Sequence, residues 1–280
     1  MHYLLKNKDT LPSGSGILFV MGRCIVVTSG KGGVGKSTIT ATLGMAMAEA
    51  GAKVTLVDAD VGLNNLDLVL GMEGAVSYDL TDVERGRCRL TEALVTHPFV
   101  ETLSLLSSRA LGGAALSQKT FSAVIAALRR GSDYVLIDCP AGIDEGFHRA
   151  VSSADEALIV TTPVPASVRD ADKVSDLLAA YRLRRVEAVV NRVRGDLVMK
   201  GDALGVSEVM SALRLPVAGS VPEDDEVLFA ATVGRISDRE SRHYRAVCML
   251  ASHVMMGTSQ IFDCTARYRG IFGFFRKIAR

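Results

Sequence analysis

An α/β fold, with a mostly parallel twisted sheet and helices on both of its faces, is what this sequence predicts. Three observations carry the prediction. Short apolar runs alternate with amphipathic stretches along most of the chain. Those short runs are continuously apolar, as strands covered on both faces must be. The first of them leads straight into a glycine-rich turn and then a helical pattern. Such alternation gives parallel strands joined by right-handed crossovers, with the strand C-termini along one edge, where ligands bind.

The elements follow in order. Residues 1–21 read as an extension without structure, because Leu11-Pro12-Ser13-Gly14-Ser15-Gly16 favours none. Met21 stands just before the first strand, so residues 1–20 read as a disordered tail or as sequence upstream of the true start. Residues 22–257 read as one domain, and 258–280 as a flexible tether ending in a short amphipathic helix. The first strand is Cys24–Ser29, and helix Lys36–Ala50 follows, with Ile39, Leu43, Ala46, Met47 and Ala50 at helical spacing. Further strands are expected at Lys53–Asp58, Leu103–Ser107, Tyr134–Asp138, Ala157–Thr161, Val186–Asn191 and Val217–Val221. Further helices are expected at Gln118–Arg130, Ser167–Tyr181, Val206–Leu213, Asp224–Ala231 and Arg239–Met255.

Composition narrows the function. A chain of 280 residues can bury a sizeable core. Its 32 basic and 31 acidic residues give a net charge of +1, so no global basic field points to nucleic acid. Cys24, Cys88, Cys139, Cys248 and Cys264 are scattered without a C-x-x-C pair, which argues against a zinc site, a disulfide framework or an iron–sulfur carrier. They read as incidental thiols of a protein in a reducing cytosol. No apolar run approaches the ~18 residues of a membrane span. Ile17-Leu18-Phe19-Val20 is too short for a signal peptide.

The chemistry starts at Gly30-Lys31-Gly32-Gly33-Val34-Gly35-Lys36-Ser37-Thr38. A strand, a glycine-rich turn and a helix make a phosphate cradle, and the pattern names a P-loop nucleoside triphosphatase. The glycines let backbone N–H groups converge on an anion, Lys36 reaches the β- and γ-phosphates of ATP, and the Ser37 hydroxyl can hold Mg²⁺. Two apolar strands end in carboxylates. Asp58 and Asp60 follow the second strand, and Asp138 closes Tyr134–Asp138. Asp60 is the candidate for orienting the attacking water, with Asp58 and Asp138 near the metal. Gly142 allows a mobile loop that senses the γ-phosphate. Asn191, Arg192 and Pro222 sit at later strand ends, where an amide and a ring-packing proline would meet adenine; a turn and a helix cap are the competing readings.

The last residues carry a separate signal. On a helical wheel, Ile271, Phe272, Phe274, Phe275 and Ile278 share one face, while Arg269, Arg276, Lys277 and Arg280 share the other. Bulky apolar residues opposite pure cations describe a helix lying in an anionic membrane surface; docking onto the core is the alternative. One such helix binds weakly, since insertion is partial and folding it costs roughly 1–2 kcal/mol per residue in backbone entropy. Two on one dimer bind tightly, by a further factor of about 10²–10⁴.

With these residues in place, the chain from about residue 22 to 280 resembles the ParA/MinD family of deviant Walker A ATPases. Besides Ser29–Thr38, the strings Asp58–Gly71, Tyr78–Leu94, Ile137–Ile143 and Ser167–Asp172 carry the resemblance. It implies that Lys31 is the signature lysine that contacts the phosphates of a partner subunit, so ATP would hold a homodimer together. It assigns Lys36, Ser37, Asp60 and Asp138 the roles read above, and it places Asn65 in a switch loop. Asp170 and Asp172 fall on a helix that, in the family, binds a MinC-like division inhibitor and a MinE-like activator; a scaffold-type regulator is equally open. The implied activity is a slow, Mg²⁺-dependent, dimer-activated ATPase that positions the cell-division septum. It would be cytoplasmic when monomeric or ADP-bound, and peripheral on the inner face of the cell membrane when ATP-bound. Flagellar placement and ParA-type DNA segregation remain alternatives, although near-neutral charge speaks against specific nucleic-acid binding.

Overall fold

The computed structural model describes residues 21–60, 66–108, 117–140, 142–232 and 238–269. Among them, eight strands form one sheet. The first half of the chain gives β1 (Arg23–Thr28), α1 (Lys36–Glu49), β2 (Val54–Asp58), the short α2 (Leu66–Val69), α3 (Leu80–Glu84) and α4 (Leu90–Ala93), then β3 (Leu94–His97) and β4 (Val100–Leu106). Next come α5 (Gln118–Gly131), β5 (Tyr134–Asp138), α6 (Glu145–Val151), β6 (Glu156–Thr161), α7 (Pro165–Leu178) and β7 (Arg185–Val193). The chain continues with α8 (Gly195–Lys200), α9 (Val206–Leu213), β8 (Val217–Pro222), α10 (Asp225–Thr232) and α11 (Arg242–Met256).

The strand order is β3-β4-β2-β5-β1-β6-β7-β8, and every neighbouring pair is parallel except the β3–β4 hairpin. Successive residues of a strand point to opposite faces, so each strand feeds two cores. Cys24 and Val26 of β1 join Phe121, Ile125, Phe147, Val174 and Val209 from α5, α6, α7 and α9. Ile25 and Val27 join Leu43, Met47, Leu66, Val247 and Leu250 from α1, α2 and α11. Helices therefore cover both faces, and β1 lies in the middle with its C-terminus at the ligand edge. Polar caps set the helix starts: Ser117 accepts from the Thr120 amide, Asp144 from Gly146 and Phe147, and Ser241 from Tyr244. Pro165 occupies the first turn of α7.

The departures from expectation are local. β3 is a four-residue edge strand with two half-buried side chains, one exposed and one buried, too short and too mixed to show a period. The hairpin lengthens β4 back to Val100. The helices α2, α3, α4, α6 and α8 are likewise shorter than a legible repeat. α11 begins at Arg242 rather than Arg239, because Ser241 caps it.

One expectation needs correction. Residues 258–269 are irregular apart from a 3₁₀ turn at Ala266–Tyr268, but they are docked on the core rather than a free tether. After Gly257 ends α11 in the left-handed region, the strap returns across the core. The Arg242 guanidinium donates to the Cys264 carbonyl at 3.1 Å and stacks over Phe262, and the Ser220 hydroxyl donates to the Phe262 carbonyl. Cys264 and Tyr268 are buried, and a Cβ on Gly195 would stand 2.1 Å from the Cys264 carbonyl oxygen. Isolated apolar side chains in irregular backbone have no period, so only their contacts reveal the docking. The expected amphipathic terminal helix falls on residues 270–280, which lie outside the described residues.

Candidate functional site

Strand ends converge on one edge. β1 hands the chain to the loop at 29–35. In register beside it, Val27 of β1 faces Asp138 of β5, and Asp138 faces Asp58 of β2. On the other flank, β7 and β8 deliver Asn191, Arg192 and Pro222.

The loop is built for bare backbone. Gly33 and Gly35 have φ of 80° and 91°, where a side chain is strained. Gly35 also caps α1 without a side chain, leaving the first-turn N–H groups of the helix open to an anion. A Cβ on Gly35 would lie 2.4 Å from Asn191 Nδ2, which donates to the Val34 carbonyl at 2.8 Å. A Cβ on Gly30 would lie 2.2 Å from the Asp170 carbonyl oxygen. Strand β7 and helix α7 thus hold the loop from behind.

Two adjoining cavities share Gly35, Thr38 and Arg192 and form one trough. The first, about 370 Å³, is lined by Lys31, Gly32, Gly33, Lys36, Ser37 and Asp60. The second, about 260 Å³, is lined by Asn191, Pro222, Asp224, Val227 and His243. Cations therefore flank one end and carboxylates the other. A larger cavity of about 540 Å³, lined by Thr55, Leu90, Leu94, Leu128 and Ser132, has neither a glycine loop nor an open helix start.

The loop's two lysines differ. Lys36 is buried, and its Nζ donates to Asp138 Oδ1 at 2.8 Å. Thr40 Oγ1 reaches the same oxygen at 3.3 Å. Lys31 is exposed at the cavity rim and, among the described residues, has no ion pair.

The carboxylates divide as well. Asp60 lines the cavity half-buried. Burial pushes its carboxyl pKa up, Lys36 opposes this, and the charges of Asp138 and Asp144 reinforce it. Asp58, like Asp138, is not among the residues that line the cavity. Its oxygens accept from the amides of Asp60 at 3.0 Å and Leu66 at 3.4 Å, so it ties together the residues on either side of 61–65. Asn65 lies outside the described residues, as do Ile271, Phe272, Phe274, Phe275, Arg276, Lys277 and Ile278. Gly142 has φ of 101°, a conformation suited to glycine. On α7, Asp172 is exposed, while Asp170 is half-buried and pairs with Lys173 at 3.3 Å.

Serine hydroxyl and carboxylate oxygens are the hard donors that Mg²⁺ takes, so Ser37 in the cavity wall and Asp138 beneath Lys36 fit that ion. Cys24 and Cys139 are buried, and burial pushes both thiols up to about 12, so neither is a nucleophile here.

The sequence reading missed Thr40, Val69, Val227 and His243. The first three follow from helices α1, α2 and α10 running beside the trough. His243 had no signal, being one imidazole at the start of an otherwise ordinary helix. It is 2% exposed, and burial lowers its pKa to about 4 against the opposing charge of Asp224.

Comparison with known proteins places this trough in context. Residues 25–235 match the family model of the CobQ/CobB/MinD/ParA nucleotide binding domain. The chain is 48% identical over 76% of its length to the putative septum site-determining protein MinD of Oltmannsiellopsis viridis, covering 68% of that protein. It is 43% identical over 76% of its length to the septum site-determining protein MinD of Bacillus subtilis (strain 168), covering 81% of that protein. Among solved structures, the MinC:MinD cell division protein complex of Aquifex aeolicus aligns with a TM-score of 0.80 at 36% identity, covering 86% of this chain and 98% of that one. The septum site-determining protein MinD complexed with Mg-ADP from Pyrococcus horikoshii OT3 aligns with a TM-score of 0.77 at 30% identity, covering 85% and 98%.

Proposed function

The chain belongs to the CobQ/CobB/MinD/ParA nucleotide-binding family, and from that premise we propose that it is a MinD-type ATP hydrolase that dimerises on ATP, attaches to a membrane surface and helps position the division septum. The observation that carries this reading is the opposite placement of the two loop lysines. Lys36 is committed to its own subunit through Asp138. Lys31 stands exposed at the rim, available to the phosphates held by a second copy of the chain.

The chemistry follows from the chain's own groups. The α1 amides and the loop backbone receive the phosphates. Lys36 exchanges the Asp138 carboxylate for a phosphate oxygen, and Asp60 orients the attacking water at the cavity wall. Ser37 and Asp138 would hold Mg²⁺, which when bound offsets the charge on the β- and γ-oxygens. Lys31 of a second copy completes each site, which makes hydrolysis slow until the dimer forms. Loss of the γ-phosphate removes the group that both lysines share, and the dimer separates.

Output lies on two surfaces. The MinC:MinD complex of the Aquifex relative supports a MinC-like inhibitor as partner; we assign to it, and to a MinE-like or scaffold-type regulator, the part of α7 that carries Asp170 and Asp172. The terminal amphipathic helix would hold the ATP dimer on anionic lipid and release the ADP monomer to the cytoplasm. No specific nucleic-acid contact is assigned: in the basic cluster at 182–185, Arg184 pairs with Asp155 and Arg185 with Glu187.

Co-sedimentation with anionic phospholipid vesicles tests the reading. The control chain should end at Arg269, which keeps the docked strap and removes only the helix. The full chain should pellet with ATP and stay soluble with ADP, and the shortened chain should stay soluble with both. Equal pelleting in the two nucleotides would sink the membrane switch.

A further inference from the structure

The far end of the trough holds a buried nitrogen that no described residue satisfies. His243 is the second residue of α11 and lines the cavity of about 260 Å³ beside Asn191, Pro222 and Asp224. Its Nε2 is fully buried and has no hydrogen-bond partner among the described residues. An orphaned buried nitrogen costs stability, and an apolar residue of similar size would serve the packing better. Burial alone does not orphan a histidine on this helix. His253, also buried, engages Glu187 at 3.1 Å and Arg185 at 2.7 Å through Nε2. Tyr244, next to His243, donates its hydroxyl to Glu49 at 2.7 Å.

We propose that His243 is a base-specificity residue, its Nε2 hydrogen-bonding the edge of the purine whose triphosphate lies on the glycine loop. This rests on the nucleotide-hydrolase reading and adds a recognition group to it. Charge distribution separates the two ends: Lys31 and Lys36, with Asp60, line only the first cavity, Glu223, Asp224 and Asp225 line only the second and would repel phosphate, and Arg192 stands where the two meet. The second cavity therefore takes the uncharged part of the ligand. Nε2 of a neutral imidazole is an N–H donor in one tautomer and a lone-pair acceptor in the other, so it can meet either kind of atom on a heteroaromatic edge. Because the site leaves a buried polar atom unpaired until the base arrives, it also penalises ligands that lack the complementary edge.

The test compares ATP with inorganic tripolyphosphate as competitors of a fluorescent ATP analogue, on the full wild-type chain and on His243→Leu and His243→Gln. In His243→Leu the preference for ATP over tripolyphosphate should fall about five- to tenfold, the worth of one hydrogen bond. Tripolyphosphate affinity should hold, and the ligand-free melting temperature should not drop, since the orphan is gone. His243→Gln, which keeps a donor and an acceptor, should recover part of the preference. A preference in His243→Leu within about twofold of wild type would overturn the proposal. Nitrogen-15 resonances of histidine-labelled wild type give a reading that needs no variant. The Nε2 signal of His243 should move with ATP and not with tripolyphosphate, and the same response to both, or to neither, overturns the assignment. A wild-type chain that binds no nucleotide would overturn the hydrolase reading along with this one, whereas normal ATP binding with an unmoved His243 overturns only this one.

Discussion

His243 and Lys36 are both buried nitrogens at the trough, and they respond to solvent in different ways. His243 ordinarily titrates at 6.5 and is lowered to about 4 in the fold. The unfolded chain therefore binds a proton that the folded chain refuses between those values. Stability must rise with pH across this window, and the loss on acidification from pH 6.5 to 4 should reach about 3 kcal/mol. Denaturant melts of wild type and His243→Leu between pH 7 and 4.5 should show the wild type losing stability faster, and parallel curves would contradict the burial argument. Lys36 is held by Asp138, so its removal strands a buried carboxylate. Lys36→Met should lose nucleotide binding and about 3 kcal/mol of stability. Lys36→Met combined with Asp138→Leu should regain stability without regaining binding, which a melt and a nucleotide titration together would read.

At the scale of elements, the loop is stiffened by strands and helices far from it in sequence. Gly35 must be left-handed and must clear Asn191, whose amide holds Val34. Gly35→Ala should therefore abolish binding of a fluorescent ATP analogue, whereas Gly32→Ala, with nothing within 4 Å of its Cβ, should weaken it far less. Comparable losses in both variants would mean that the backbone needs flexibility rather than clearance. The glycine string itself is legible in sequence because spacing and composition define it. The brace from Asn191 is not, because 157 residues separate the partners. The same contrast separates β5, a continuous apolar run ending in Asp138, from β3, whose four mixed residues form a strand only because β4 pairs with them.

For the whole molecule, the docked strap moves the boundary between core and tail. Cys264 and Tyr268 are 3% and 4% exposed, so cutting at Gly257 exposes the core that they cover. That truncation should lower the melting temperature by about 6–12 °C, taking roughly 3 kcal/mol of lost burial. A chain ending at Arg269 should melt with the full-length protein, and calorimetry of the two would decide. If the Gly257 truncation melted normally, the strap would be a passive passenger. The strap also joins two functions in space. Arg242 grips Cys264, and its neighbour His243 lines the trough, so the strap is anchored one residue from the cavity proposed to take the base.

By itself the sequence determined the α/β class, the phosphate loop with Lys31, Lys36 and Ser37, the strand-end carboxylates and the amphipathic pattern of the last residues. Those features are periodic or contiguous, and local spacing suffices to define them. The tertiary structure alone decided that Lys36 rests on Asp138, that Asp58 accepts from the Asp60 and Leu66 amides, that residues 258–269 dock, and that no described residue hydrogen-bonds His243 Nε2 at the trough. Each of these is a meeting of residues distant in the chain, or an environment made by several elements at once. No local pattern encodes such a meeting, because it exists only after the sheet has brought its strand ends together.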